Sequence, residues 1–234
     1  MNLSKVDKVL TGIEELDRIL GGGLPRGSIT LIAGGPGTGK TITALQFLYN
    51  GALKFSERGV LVIFNENASA LKQYMNSMGW DLSRLENEGL IKILDFITVE
   101  KIGLESLMDM IFDEASSFMP KRLVIDSLTA LIMAMEKKEE VRAVLSIIQR
   151  LLRRLDCTSI VITETPWGVE GLGSGVEEFV VDGIIKMELV PSKGELKRRL
   201  AVLKMRGSAH DTKYYQYYIV PNDGIVITPY PEVF

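Results

Sequence analysis

Short β-branched runs, apolar at consecutive positions and separated by segments of helical spacing, dominate the first 185 residues and leave few architectures open. The runs lie at 28–33, 60–65, 90–95, 122–126 and 158–163. A strand without polar alternation has to be covered on both faces. The segments between them, 40–54, 68–79, 103–118 and 139–155, carry apolar residues at helical intervals. In the last of these Val141, Val144, Leu145, Ile148, Leu151, Leu152 and Leu155 share one face, while Arg142, Arg150, Arg153 and Arg154 lie toward the other. Strand and helix in this order require right-handed crossovers, so the expected fold is α/β, a mainly parallel central sheet flanked by helices. Beyond residue 183 strand-like runs follow one another at 183–190, 200–205, 214–220 and 225–228, with turn residues at 191–194 and 221–224. They predict an antiparallel C-terminal extension of the sheet. No linker, repeat or low-complexity tract interrupts the chain, and 1–234 reads as a single domain.

The glycines are bunched at 21–23, 34–39 and 168–175, marking three candidate working loops. The second bunch is the most informative. Gly34, Gly35, Pro36, Gly37, Thr38, Gly39, Lys40 and Thr41 satisfy G-x-x-x-x-G-K-[ST], with a β-branched run entering and a helical run leaving. Successive backbone N–H groups of such a loop surround anionic oxygens. Lys40 would reach the β- and γ-phosphates of a nucleotide, and the Thr41 hydroxyl would help hold Mg²⁺. A plain glycine turn is the alternative reading. The partner acid should end a neighbouring buried strand, and Asp126 does so. It would hold the metal directly or through water, or else cap the helical segment beginning at Leu128.

Composition sets outer limits. The 27 Lys and Arg nearly balance 30 Asp and Glu for a net charge of −3, which disfavours coating nucleic acid by charge alone. The lone Cys157 cannot form an intrachain disulfide, and no signal-like segment opens the chain, so a cytoplasmic location is expected. The longest nearly apolar run, 128–135, is far short of the roughly 20 residues that cross a bilayer.

The residues resemble the KaiC-like branch of the RecA-type ATPases over nearly the whole chain. Thr11, Gly12, Ile13, Leu16 and Asp17, with the triple glycine, Leu24 and Pro25, look like that family's N-terminal signature. The glycine loop, the strand ending at Asp126, the segments at 79–82 and 175–179, and Lys204, Met205, Arg206, Gly207, Ser208, Ala209 and His210 follow at the family's spacing. The resemblance implies a RecA-like P-loop NTPase fold, binding of ATP or ADP with Mg²⁺, and homohexameric rings with nucleotide between neighbours. It also implies that Lys204 and Arg206 stabilise charge on a neighbour's phosphates, with His210 nearby; a fixed cation facing a transferring phosphoryl group lowers the barrier. A solvated hairpin face is the other reading of the basic residues, preferred for Lys193, Lys197, Arg198 and Arg199. A surface turn fits His210 equally.

The chain also departs from the family. Relatives carry two adjacent glutamates after the strand that follows the loop helix, one of them polarising the attacking water. Here Asn65 stands first and Glu66 second. An amide accepts no proton and at most orients a water, and strand alternation puts Glu66 on the opposite face unless the chain twists locally; Glu66 reads equally as the catalytic base and as a solvent-exposed strand-end acid, and slow turnover is expected. Glu164 ends the next strand, where RecA-like sheets sense the γ-phosphate. The third glycine bunch, with Trp167, faces the ring channel in DNA-binding relatives, yet 155–185 contains no Lys or Arg. Six such loops would repel nucleic acid rather than bind it. Glu178 and Phe179 occupy the place of the clock proteins' phosphoacceptors, which argues against autophosphorylation. The expectation is an ATP-binding, slowly hydrolysing protein whose nucleotide-dependent hexamer regulates an unidentified protein partner. The alternatives are an accessory factor of DNA recombination or repair, and a scaffold stapled by nucleotide that never turns over.

Overall fold

A computed structural model describes residues 6–96, 104–133, 138–166, 171–172 and 180–231. In chain order the elements are β1 (Lys8–Val9), α1 (Glu14–Ile19), β2 (Leu24–Pro25), β3 (Ile29–Gly34), α2 (Lys40–Phe55), β4 (Gly59–Ile63), α3 (Ala68–Ser77), α4 (Leu82–Asn87), β5 (Ile91–Asp95), α5 (Leu104–Phe118), β6 (Arg122–Asp126), α6 (Leu128–Met133), α7 (Lys138–Leu155), β7 (Thr158–Glu164), β8 (Gly183–Ser192), β9 (Glu195–Met205), β10 (Tyr215–Val220) and β11 (Gly224–Pro231). Nine strands form one sheet in the order β11-β10-β9-β8-β3-β7-β6-β4-β5, and β1 pairs with β2 apart from it. The strands from β8 to β5 in that order run parallel, and β9, β10 and β11 extend the sheet through antiparallel pairs.

Each face of the parallel part is covered, as its unalternating runs require. Leu61 and Ile63 of β4, Val124 of β6, and Ile160 and Ile162 of β7 pack beneath α1, α2, α3 and α4. Val60, Val62, Leu123, Ile125 and Val161 pack beneath α5, α6 and α7. On α2, Ala44, Leu45, Phe47 and Leu48 are buried, each large side chain contributing about 2 kcal/mol. The inner face of the antiparallel extension, with Leu200, Val202, Tyr215, Tyr217, Ile225 and Ile227, joins the α2 layer. Cys157 is buried, its thiol pushed up to about 11 by desolvation. Among the described residues no helix is long and apolar enough to cross a membrane.

Three boundaries differ from the sequence reading for local reasons. The strand read as 60–65 stops at Ile63 because Asn67 caps α3, its side chain accepting from the Ala70 amide at 2.8 Å, and the chain bends between them. The hairpin after β8 is tighter than expected: Lys193 and Gly194 turn it alone at φ of 50° and 86°, so both strands run longer. Helices α1 and α4, six residues each, are too short to show periodicity; α4 is set by Asp81, which accepts from the Arg84 amide at 2.9 Å.

The N-terminal signature residues serve the fold. Asp17, 8% exposed, accepts from the Thr11 amide at 2.7 Å, the Thr11 hydroxyl at 2.8 Å and the Gly12 amide at 3.0 Å. Gly12 in turn offers its carbonyl to Asn50 of α2 at 3.0 Å. Trp80 stacks on Tyr49 and donates to the Asn222 carbonyl at 3.0 Å, which anchors the β10–β11 turn. Replacing Asp17 with Ala strands three donors, two of them buried, and is expected to lower unfolding free energy by about 3 kcal/mol. Urea denaturation checks this, the midpoint falling at unchanged slope.

Candidate nucleotide site

Because β3, β7, β6 and β4 are parallel neighbours, their C-terminal ends open onto one edge of the sheet, and the glycine loop, Glu164, Asp126, Asn65 and Glu66 collect there. The loop leaves β3 at Gly34, where a Cβ would lie 2.2 Å from the Met187 carbonyl oxygen of β8. Only glycine allows that approach. Gly39, at φ 85°, turns the chain into α2, which has no side-chain N-cap and no acidic residue in its first turn. The positive end of the helix therefore faces the loop uncompensated. Thr38 ties the loop to itself through the Gly35 carbonyl at 2.8 Å, and Tyr217 of β10 donates to the Thr38 carbonyl at 2.5 Å.

Lys40, 8% exposed, reaches back to the Gly35 carbonyl at 2.9 Å. Burial pulls its ammonium below the ordinary lysine range, countered by the charges of Glu164 and then Asp126. The Thr41 hydroxyl donates to Asp126 Oδ2 at 2.7 Å. Burial pushes the Asp126 carboxyl upward, against the pull of Thr41 and Lys40, and Glu164 adds to the rise. One hydroxyl and one hard carboxylate meeting beside a lysine is the donor set that suits Mg²⁺, which takes few protein ligands and completes its shell with water and phosphate oxygens. Among the described residues there is no group of three or more His, Cys, Asp or Glu that could hold a metal ion.

Because β4 ends early, strand alternation does not govern Asn65 and Glu66. Asn65 is exposed, its amide 3.3 Å from the Ser127 hydroxyl. Glu66 is half-buried, and its carboxyl is raised first by burial and then by the charge of Asp126.

Lys204 and Arg206 lie elsewhere. Met205 is opposite Gly183, which is opposite Thr30, so they sit at the far end of β3, about 13 Å from its loop end. Lys204 donates to the Val181 carbonyl at 2.7 Å, and Arg206 stands 3.4 Å from Asp182, which also takes a bidentate bond from Arg153. The backbones of both cations lie toward the end of the sheet remote from the loop of their own chain. His210 follows in the adjoining turn, its Nδ1 3.4 Å from the Ser208 carbonyl and its Nε2 buried without a partner among the described residues. That turn docks on the first glycine bunch through Ser208, which donates to the Leu20 carbonyl at 2.6 Å.

The reading of Arg198 and Arg199 as a solvated face does not hold. Arg198 shares the inner face of the hairpin with Tyr217, and its Nε donates to the Gly37 carbonyl at 3.3 Å. Arg199, on the outer face, pairs with Glu188 at 3.0 Å and lies over the Tyr214 ring. Arg198 is the loop contact that sequence reasoning missed; the register of a hairpin with a two-residue turn was the available signal. Of the third glycine bunch only Gly171 is described; Trp167, Gly168, Gly173, Gly175, Glu178 and Phe179 lie outside the described residues.

A parallel sheet with a glycine loop opening onto a helix N-terminus, and Thr41 joined to an acid on a neighbouring strand, defines a RecA-like P-loop protein. A family model described as ATPase, KaiC, matches residues 9–232. The chain is 36% identical over 236 residues to a UPF0273 protein of Methanocaldococcus jannaschii, covering 95% of this chain and 96% of that one. It is 37% identical to the circadian clock oscillator protein KaiC of a Nostoc species over 96% of its own length but 44% of the relative's. The crystal structure of a KaiC-like protein from Pyrococcus horikoshii OT3 superposes with a TM-score of 0.88 at 37% identity, covering 96% of this chain and all of the other. The chain belongs to the KaiC ATPase family.

Lys40→Ala is expected to keep the fold and to weaken ATP binding by about 2 kcal/mol or more, roughly 30-fold, because a charge-assisted contact to phosphate is lost. Titration with a fluorescent ATP analogue measures it.

Proposed function

We propose that the chain binds ATP with Mg²⁺ at residues 34–41, hydrolyses it slowly, and uses nucleotide held between subunits to assemble a homohexameric ring that engages a protein partner in the cytoplasm. The observation that carries the nucleotide reading is the Thr41–Asp126 bond beside Lys40 at the uncapped start of α2. The loop amides and the helix N-terminus would cradle the phosphates, Lys40 would shift from the Gly35 carbonyl to the β- and γ-oxygens, and Arg198 and Tyr217 would brace the loop from beneath. Bound Mg²⁺, held by Thr41 and Asp126, would supply neutralisation of phosphate charge.

Slow turnover follows from Asn65, which orients a water and accepts no proton. The neighbour-facing role of Lys204, Arg206 and His210 is supported by their distance from the loop of their own chain and by their anchoring on Val181, Asp182 and Ser208. A ligand completed only by two subunits stabilises the assembly it bridges, so occupancy and ring formation would be coupled. DNA is disfavoured as the partner by the cation-free stretch at 155–185.

Light scattering and phosphate release, each with and without ATP and single-stranded DNA, test the proposal. The expected outcome is ATP-dependent hexamers whose turnover ignores DNA. DNA stimulation would favour the recombination reading, and tight nucleotide without turnover the scaffold. Asn65→Glu is expected to raise the rate at least about tenfold by adding a proton acceptor at the position where relatives carry the first glutamate. A wild-type rate matching relatives with two glutamates, and lost in Glu66→Gln, would contradict slow turnover and make Glu66 the base.

A further inference from the structure

Asn65 accepts no proton, and besides Glu66 after β4 the sheet edge offers a second carboxylate at the end of β7. Glu164 ends β7 directly opposite Gly34, the last residue of β3 before the loop. Side chains alternate along β7: Ile160 and Ile162 pack under α2, Val161 packs on the opposite face, and Thr163 meets the Thr129 hydroxyl of α6 at 3.3 Å. Glu164 therefore projects on the α2 face, the face from which Lys40 and Asp126 act. Its backbone is pinned on both sides. Its own amide donates to the Thr129 hydroxyl at 2.7 Å, and the next amide, of Thr165, donates to the Gly34 carbonyl at 3.0 Å. The carboxylate itself stays exposed at the lip of the loop. Its charge acts on Lys40, ahead of that of Asp126, so the carboxylate and the loop lysine share one neighbourhood. The Thr165 hydroxyl, buried and without a partner among the described residues, supplies a further polar atom beside the loop.

We propose that Glu164 is the general base of this site, an inference that rests on the reading that the chain hydrolyses ATP. The Glu164 carboxylate takes one proton from a water whose oxygen bonds to the γ-phosphorus. The bond from that phosphorus to the β,γ-bridging oxygen breaks, its electron pair leaving on ADP, and the proton then passes from Glu164 to the released phosphate or to solvent. Asn65, fastened to Ser127, orients the water from the opposite side.

The test uses the full chain with Mg²⁺ and two readouts: phosphate release in a single turnover, and equilibrium affinity for ADP and for a non-hydrolysable ATP analogue. Glu164→Gln is expected to slow release at least about tenfold, the lower range of general-base catalysis. It is also expected to tighten the analogue about threefold relative to ADP, since a like charge facing the terminal phosphate is removed. Asn65→Glu is expected to restore the rate of Glu164→Gln, and a rate lost in Glu66→Gln but kept in Glu164→Gln would overturn the proposal. Release by the wild type no faster than by Lys40→Ala would remove the hydrolysis reading and the proposal with it. Measurable wild-type release that Glu164→Gln matches, at an unchanged analogue-to-ADP ratio, would overturn the proposal alone.

Discussion

A hydrogen bond of 2.7 Å from the Thr41 hydroxyl to the Asp126 carboxylate joins the first turn of α2 to the end of β6, two strands away from the strand that feeds α2. It can form only if β3, β7 and β6 are parallel and in register, because only then do their ends meet at one edge. It also needs the loop to pass close over β8, which Gly34 permits and any Cβ would block. The apolar, doubly covered sheet thus places an acid, a hydroxyl and a buried lysine within one small volume. Burial disfavours the charged form of each, lowering the lysine and raising the acid. A phosphate chain and a divalent cation would relieve both at once.

The antiparallel extension connects this edge to the opposite one. Strand β9 carries Arg198 against the Gly37 carbonyl and, six residues later, Lys204 over the Val181 carbonyl, a span of about 20 Å in one rigid element. In the proposed ring the same strand would brace its own nucleotide loop and present cations to the next. Asp182 sits where that far end meets α7 and the start of β3, accepting from Arg153 at 2.8 Å and from the Ile29 amide at 2.9 Å. The physical link between occupancy and assembly would then be a strand pair, with no loop rearrangement required.

Much of the fold was legible because its signals are local and strong. The alternation of continuous apolar runs with amphipathic helices fixes the parallel sheet, and the glycine loop with its flanks places the start of α2 to the residue. Asp126 was legible because it ends a buried run. Strand order was not, since pairing of β3 between β7 and β8 depends on contacts far apart in sequence. The course of the chain at Asn65 and Glu66 was open in the sequence, because a side-chain cap from Asn67 ends β4 two residues early, which strand alternation does not register. Arg198 was misjudged because a basic hairpin reads as solvated until its register shows which face turns inward. Signature positions such as Thr11 and Asp17 proved to be a buried hydrogen-bond knot, a role their spacing alone does not distinguish from ligand binding.

The most direct measurement is a crystal structure of the chain with Mg²⁺ and a non-hydrolysable ATP analogue. The account predicts phosphates cradled at residues 34–41, the Thr41 hydroxyl and Asp126 at the metal, and the Glu164 carboxylate facing a water beside the γ-phosphate. Nucleotide bound away from this loop, or Glu164 turned from the phosphates while another carboxylate holds that water, would contradict it.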